Sequence, residues 1–280
     1  MKKLAPAFLT LILFAAFALQ AQIIDDAPLD GLYEEEALIE RDPVPLPSIR
    51  KADVMWSKRI WREIDFRQKF NQKFYFPTEA QANWKSFITV VLDALKEGEL
   101  TAYDISNTDE LLVPINYAEI IGRQTDSIPK IMRRSYPPYD EYDTVIYVEF
   151  DPTKVMRLRM KEDWYFDKQR SQMMVRIQAI CPVLIKERDG EEVTEPMFWL
   201  SYPASRNIFA KAMVFNDYNS AMRLTYDEVF WKRLFDSYIY KEQNVYDRRI
   251  SQYATGLDAL LESERIKNEM FEFEEQLWEY

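Results

Sequence analysis

The sequence contains no histidine. That removes Ser-His-Asp and Cys-His nucleophile systems, imidazole metal ligands, and the side chain whose charge ordinarily changes near neutral pH. Cysteine occurs once, at Cys181. A lone thiol leaves no internal disulfide and no CxxC zinc or redox motif. The five glycines, Gly31, Gly98, Gly122, Gly190 and Gly256, stand far apart, so neither a GxGxxG nor a GxxxxGK phosphate loop exists. Positive charge is also short: 36 Lys and Arg face 47 Asp and Glu, a formal net charge of −11. A nucleic-acid binder shows a basic face or stripe, and this balance argues against one.

What the chain does have begins with its first residues. Met1-Lys2-Lys3 is basic, and Leu4 to Leu19 carries no charge before Gln20-Ala21-Gln22. This pattern predicts a secretory leader, residues 1–21, cleaved after Ala21. The apolar stretch is shorter than the ~20 residues of a spanning helix, and no later segment approaches that length. A lipoprotein leader needs a cysteine at the cleavage point, which is missing. The expectation is therefore a mature chain outside the cytoplasm. Loss of Lys2 and Lys3 takes its charge from −11 to −13. In residues 172–186, alternation places Val175, Ile177, Ala179, Cys181, Val183 and Ile185 on one strand face. Cys181 thus reads as a small buried apolar residue rather than a reactive thiol.

Residues 22–50 are acidic and end in Pro43-Val44-Pro45-Leu46-Pro47. Alternating proline excludes helix and favours polyproline-like backbone. Such a segment is either a solvated tail or an arm lying on another subunit, with Ile23, Ile24, Leu32 and Tyr33 as its apolar anchors. Residues 51–268 read as one α+β domain, with an acidic-aromatic tail at 269–280. Asp53 is expected to cap a helix in which Trp56, Ile60, Ile64 and Phe70 recur at helical spacing. Its interleaved Lys58, Arg59, Arg62, Arg67 and Lys69 are either an anion or partner site or a solvated basic face, the plainer reading. A second helix is expected over 83–96 with Gly98 at its C-cap, and a short one after Asn116. Then come four strands in an antiparallel meander, 144–150, 155–166, 173–186 and 193–202, with Asp189-Gly190 as a hairpin turn. The last third reads as helices over 204–215, 226–241 and 251–267, with a Thr225/Glu228 capping box.

Catalytic readings find little support. Glu149 with Asp151, or Glu162 with Asp163, are candidate carboxylate pairs for glycan hydrolysis, but ordinary solvated charge explains them. Asp140-Glu141-Tyr142-Asp143 lacks the Ca²⁺-loop pattern. No catalytic, cofactor or metal residue is assigned. A periplasmic hydrolase or small-ligand binder stands as the alternative to a structural role. The aromatics, 17 Phe, 17 Tyr and 7 Trp, exceed what a modest core needs, and aromatics with arginine are what interfaces use.

Several runs resemble the GldN/PorN family. They are Val54 through Asp65 (VMWSKRIWREID), Phe74-Tyr75-Phe76-Pro77, Leu100-Thr101-Ala102-Tyr103-Asp104, residues 161–170 (KEDWYFDKQR) with Ile180-Cys181-Pro182, and Val229-Phe230-Trp231-Lys232-Arg233-Leu234-Phe235. The last is followed by Tyr238-Ile239-Tyr240-Lys241-Glu242 and Asn244-Val245-Tyr246-Asp247-Arg248. A GldO-type paralogue shares the pattern. The resemblance implies a non-enzymatic periplasmic subunit of the type IX secretion and gliding machinery. It further implies a ring of its own copies with a GldK/PorK-like outer-membrane lipoprotein, in contact with a GldM/PorM-like inner-membrane protein. Trp56, Trp61 and Trp231 then fit core positions. Arg59, Arg62 and Arg248 are ion-pair partners inside the fold or across subunits. Together with Phe273 and Trp278 of the tail, Arg59 and Arg62 complete the candidate partner-binding set.

Overall fold

The computed structural model describes residues 41–278 apart from 82–83, 106–108, 138, 149, 189, 217–218 and 220–221. Its frame is a mixed-length antiparallel sheet of eight strands. Strand β1 (Val54–Asp65) lies inside that sheet. It is followed by α1 (Phe87–Glu97), β2 (Ala102–Tyr103), β3 (Pro114–Ile115) and α2 (Tyr117–Gln124). A two-stranded ribbon, β4 (Asp126–Arg133) and β5 (Glu141–Val148), leaves the frame. The long hairpin β6 (Val155–Asp167) and β7 (Gln172–Arg188) returns to it, with β8 (Glu191–Pro196) and β9 (Trp199–Ser201) beside β7. Next are α3 (Tyr202–Lys211), the short pair β10 (Met213–Val214) and β11 (Leu224–Thr225), and α4 (Tyr226–Trp231). β12 (Tyr238–Glu242) and α5 (Leu257–Trp278) complete the chain. The sheet order is β12-β1-β6-β7-β9-β2-β3.

The α+β class holds, but the N-terminal helix expected from Asp53 is the strand β1. A spacing of four serves both structures: 56, 60 and 64 share a helical face, and they also share a strand face of period two. The even members between them are Lys58 and Arg62, which read as solvent-facing on a helix. The sheet instead buries every residue from Ile60 to Ile64. Propensity near the helix–strand balance yields here to cross-strand pairing with β6 over the whole strand.

The four-strand meander is likewise rearranged. β6, β7 and the β8/β9 pair follow it, whereas the expected first strand pairs with β4 outside the main sheet, and β1 takes its place. The helix expected over 226–241 ends at Trp231, because Arg233 adopts a left-handed backbone (φ 53°) and the chain resumes as β12. β7 does not keep one apolar face. Lys161 pairs with Ala179 but Glu162 pairs with Ile177, so a bulge sends Ile177 to the helical core and Ala179 and Cys181 to the other face. Cys181 is fully buried there, and burial pushes its thiol up to about 12.

The main core lies between the sheet and α1, α3 and α4. Ser86 caps α1 by accepting from Thr89 N, and Gly98 (φ 80°) closes it in the left-handed conformation. The buried α1 side chains Phe87, Ile88, Val91, Leu92 and Leu95 each contribute about 1.5–3 kcal/mol by leaving water. Phe87 stands 5.2 Å from Tyr226, 5.3 Å from Phe209 and 5.6 Å from Phe230, the centre of an aromatic cluster. Trp61 is core, but Trp231, also expected there, is half exposed at 50% because α4 turns it outward.

Candidate interaction surfaces

The two faces of β1 each carry a charge network. On the helical face, Arg62 Nε stands 3.2 Å from Glu162 Oε2. Arg233 donates to both Glu162 oxygens at 2.8 and 3.3 Å, and Trp164 Nε1 donates at 3.0 Å. Both guanidiniums lie over the Trp164 ring, at 5.5 and 5.3 Å. On the opposite face Glu63 accepts from Arg159 at 2.8 Å, from Arg157 at 2.9 Å and from the Tyr238 hydroxyl. Burial raises the pKa of both carboxylates. The arginines around them outweigh it and hold Glu63 and Glu162 below their ordinary value. Arg59 pairs with Asp163 by two hydrogen bonds, 2.5 and 2.8 Å long. Arg59 and Arg62 are therefore engaged inside the fold. Arg248 lies over Tyr246 and Tyr253 at the surface.

The remaining candidates disperse. Ile23, Ile24, Leu32 and Tyr33 lie outside the described residues. α5 runs without a break through the position expected to start the tail, and Phe273 stacks on Trp56 at 4.9 Å. Beside it, Ile266 and Met270 pack on Ile60, Ile239 and Ile250. Trp278 is the last helical residue, and its side chain lies outside the described ones. Among the candidate carboxylates, Glu162 is sealed under two arginines and Asp163 is tied to Arg59. Asp151 accepts from Thr153 N and Oγ1. Glu149 is outside the described residues. None of the three described ones offers a free carboxyl facing another across a cleft.

The end of the arm lies on the chain's own body. Arg206 and Asp227 form a buried ion pair, 2.7 Å between Nε and Oδ1. Together they bind the backbone of Val44: Arg206 Nη2 donates to Val44 O at 2.6 Å, and Val44 N donates to Asp227 Oδ2 at 3.2 Å. Arg41 pairs with Glu228 at 2.9 Å, and Arg176 donates to Pro47 O. The proline-alternating sequence supplies an extended backbone at small entropic cost, and the ion pair reads one amide of it.

The surface that sequence reasoning missed is the β4–β5 ribbon. Neither strand joins the main sheet, and every described residue from Lys130 to Asp143 is exposed. Ile131, Met132, Tyr136, Tyr139 and Tyr142 are among them. Arg133 lies over Tyr139, and Arg134 over Tyr136 and Tyr142, each at 6.0 Å. The β4 side carries Lys130, Arg133 and Arg134; the β5 side carries Asp140, Glu141 and Asp143. Pro129 hid β4 from the sequence, because proline demotes a strand reading; it is tolerated here opposite Val145 on a strand with a free edge. A second apolar exposure, Leu257, Leu260 and Leu261, begins α5.

Among the described residues, no helix is long and apolar enough to cross a membrane. A family model described as gliding motility associated protein GldN matches residues 49–279. No curated protein matches the chain.

Proposed function

Since the chain belongs to the GldN family of gliding-motility-associated proteins, a family tied to type IX secretion and not one of enzymes, we propose that it is a non-enzymatic structural subunit of that machinery. In this reading residues 1–21 are removed on export and the mature chain sits in the periplasm at the inner face of the outer membrane. There it forms a ring with copies of itself and a GldK/PorK-like lipoprotein, and it meets a GldM/PorM-like inner-membrane protein.

The observation that carries the reading is the β4–β5 ribbon. An isolated two-stranded ribbon is marginally stable in water. One that presents tyrosines, arginines and two free edges has the composition of a binding surface. The separation of basic β4 from acidic β5 favours an ordered, directional contact. Residues 22–40 serve as a further strap to the lipoprotein, since Arg41 onward is already bound to α3 and α4.

The test is affinity capture of the tagged full chain from detergent-solubilised envelope. Recovery of both a GldK/PorK-like lipoprotein and a GldM/PorM-like protein is the expected result, and recovery of neither removes the reading. A chain starting at Arg41, exported under its own leader, isolates the strap. Undiminished lipoprotein recovery with it rules out a role for residues 22–40.

A further inference from the structure

Charge on an exposed strand edge ordinarily keeps that edge from pairing with another chain. On the β4–β5 ribbon the charges are sorted by strand. Lys130, Arg133 and Arg134 belong to the β4 arm, and Asp140, Glu141 and Asp143 to the β5 arm. All of them are exposed. Arg133 lies opposite Glu141 in register, yet its Nε donates to Tyr139 O at 2.9 Å instead. Among the described residues none of these charges is ion-paired. Each strand is also paired on one side only, since β4 and β5 form a two-stranded sheet. The outer sides carry N–H and C=O groups that a further strand can bond. Pro129, which lacks an N–H, precedes the charged stretch, so Lys130 to Arg133 keep their donors.

The sorting of signs decides which strand fits. A two-fold contact between ribbon edges sets β4 beside β4 or β5 beside β5, and like charges then face each other across the joint. A copy turned about any other axis can present β4 to β5, with opposite charges opposed. Because β4 and β5 run antiparallel, a copy facing the same way continues the sheet antiparallel, in the order β4-β5-β4-β5. Every joint of this kind leaves one edge of each sign open, so the contact repeats until a ring closes or a filament grows.

We propose that the acidic β5 edge of one copy of this chain pairs with the basic β4 edge of the next. The backbone supplies the bonds, and the charges fix the partner and the polarity. The inference rests on the ribbon as the assembly contact and names a second copy as what fills it.

Cross-linking tests it. Cys181 is fully buried, whereas Met132 and Tyr142 are exposed and lie opposite each other in the ribbon. An introduced thiol is therefore the accessible one. Full chains carrying Met132→Cys on β4 or Tyr142→Cys on β5 are treated with a short bis-maleimide, separately and as an equimolar mixture. The mixture should give the heterodimer well above random pairing, and each chain alone little product. Absent cross-linking, or homodimers as abundant as heterodimers, overturns the proposal.

Charge reversal, read by sedimentation, gives a second measurement. One variant carries Lys130→Glu, Arg133→Glu and Arg134→Glu, and another Asp140→Lys, Glu141→Lys and Asp143→Lys. Each should weaken self-association about tenfold, since like charges then meet at every joint. An equimolar mixture of the two sets opposite signs at every joint and should return to wild-type association. Indifference to reversal, or a mixture no better than its parts, also overturns the proposal. Affinity capture from solubilised envelope separates this inference from the reading beneath it. Reversed chains that lose the lipoprotein or the inner-membrane protein but still self-associate give the edge to another partner: the proposal falls and the reading stands. Reversed chains that keep every partner and still self-associate remove both.

Discussion

The molecule contains two long antiparallel hairpins, and they solve opposite problems. β6 and β7 pair along their length in the middle of the main sheet, while β4 and β5 pair only with each other. Both are rich in charge. β6 alone carries Arg157, Arg159, Lys161, Glu162, Asp163 and Asp167. Its charges are absorbed by neighbours: Glu63 takes two arginines, Arg59 takes Asp163, and Arg62 with Arg233 takes Glu162. The ribbon's described charges, from Lys130 to Asp143, face water. Charge content therefore does not tell an internal strand from a projecting one. What distinguishes them is whether another element of the chain supplies the counter-charge.

The sharpest test of that difference is removal of one carboxylate from each hairpin. Glu162→Gln strands the buried Arg62 and the part-buried Arg233 and should cost about 3–5 kcal/mol in urea unfolding. Glu141→Gln in the ribbon should stay within about 0.5 kcal/mol. Equal effects would mean that the buried cluster contributes nothing special. Acid should discriminate in the same way. Glu63 and Glu162 titrate below their ordinary value of 4.5 in the native chain. The unfolded chain thus takes up protons first, and the stability these groups add is full above about pH 4.5 and lost as pH falls through their native values. Melting temperature should drop steeply below pH 4.5 and, with no histidine in the sequence, stay level between pH 6 and 8. A midpoint that moves across neutrality would show another titrating group at work.

How much of this was legible follows from the physics of each signal. Local signals survived: Gly98 closes α1, the Thr225/Glu228 box caps α4, and Cys181 is buried. Each depends on a few adjacent residues. β1 did not survive, because Trp56, Ile60 and Ile64 satisfy both periods and the deciding residue, Arg62, is buried by a partner 100 positions away, Glu162. The split of β7 into two faces depends on a bulge that no single-strand pattern records. Of the candidate partner residues, Arg59, Arg62 and Phe273 are held by Asp163, Glu162 and Trp56. The ribbon was missed because Pro129 masked one strand and the other was placed in the meander.

Phe273 offers a smaller, cleaner test. Stacked on Trp56, it docks α5 to the sheet. Phe273→Ala should cost about 1–2 kcal/mol from lost burial and ring contact, measured as a shift in urea midpoint. A midpoint that does not move, together with weakened partner capture, would make Phe273 a partner anchor after all.

The least stabilising region should then be the most consequential for assembly. The triple variant Tyr136→Ala, Tyr139→Ala, Tyr142→Ala removes exposed rings only, so the isolated chain should change by no more than about 0.5 kcal/mol. Backbone amides of the ribbon should exchange with solvent faster than those of β6 and β7, because the two strands shelter only each other. In the envelope the order reverses. The ribbon amides should gain protection and the triple variant should lose partner recovery, while Glu141→Gln alone weakens recovery little, as a rim charge does. A ribbon that is slow to exchange in the isolated chain, or a triple variant that captures every partner, would place the assembly contact elsewhere. The Leu257, Leu260 and Leu261 stripe on α5 would then be the surface to mutate next.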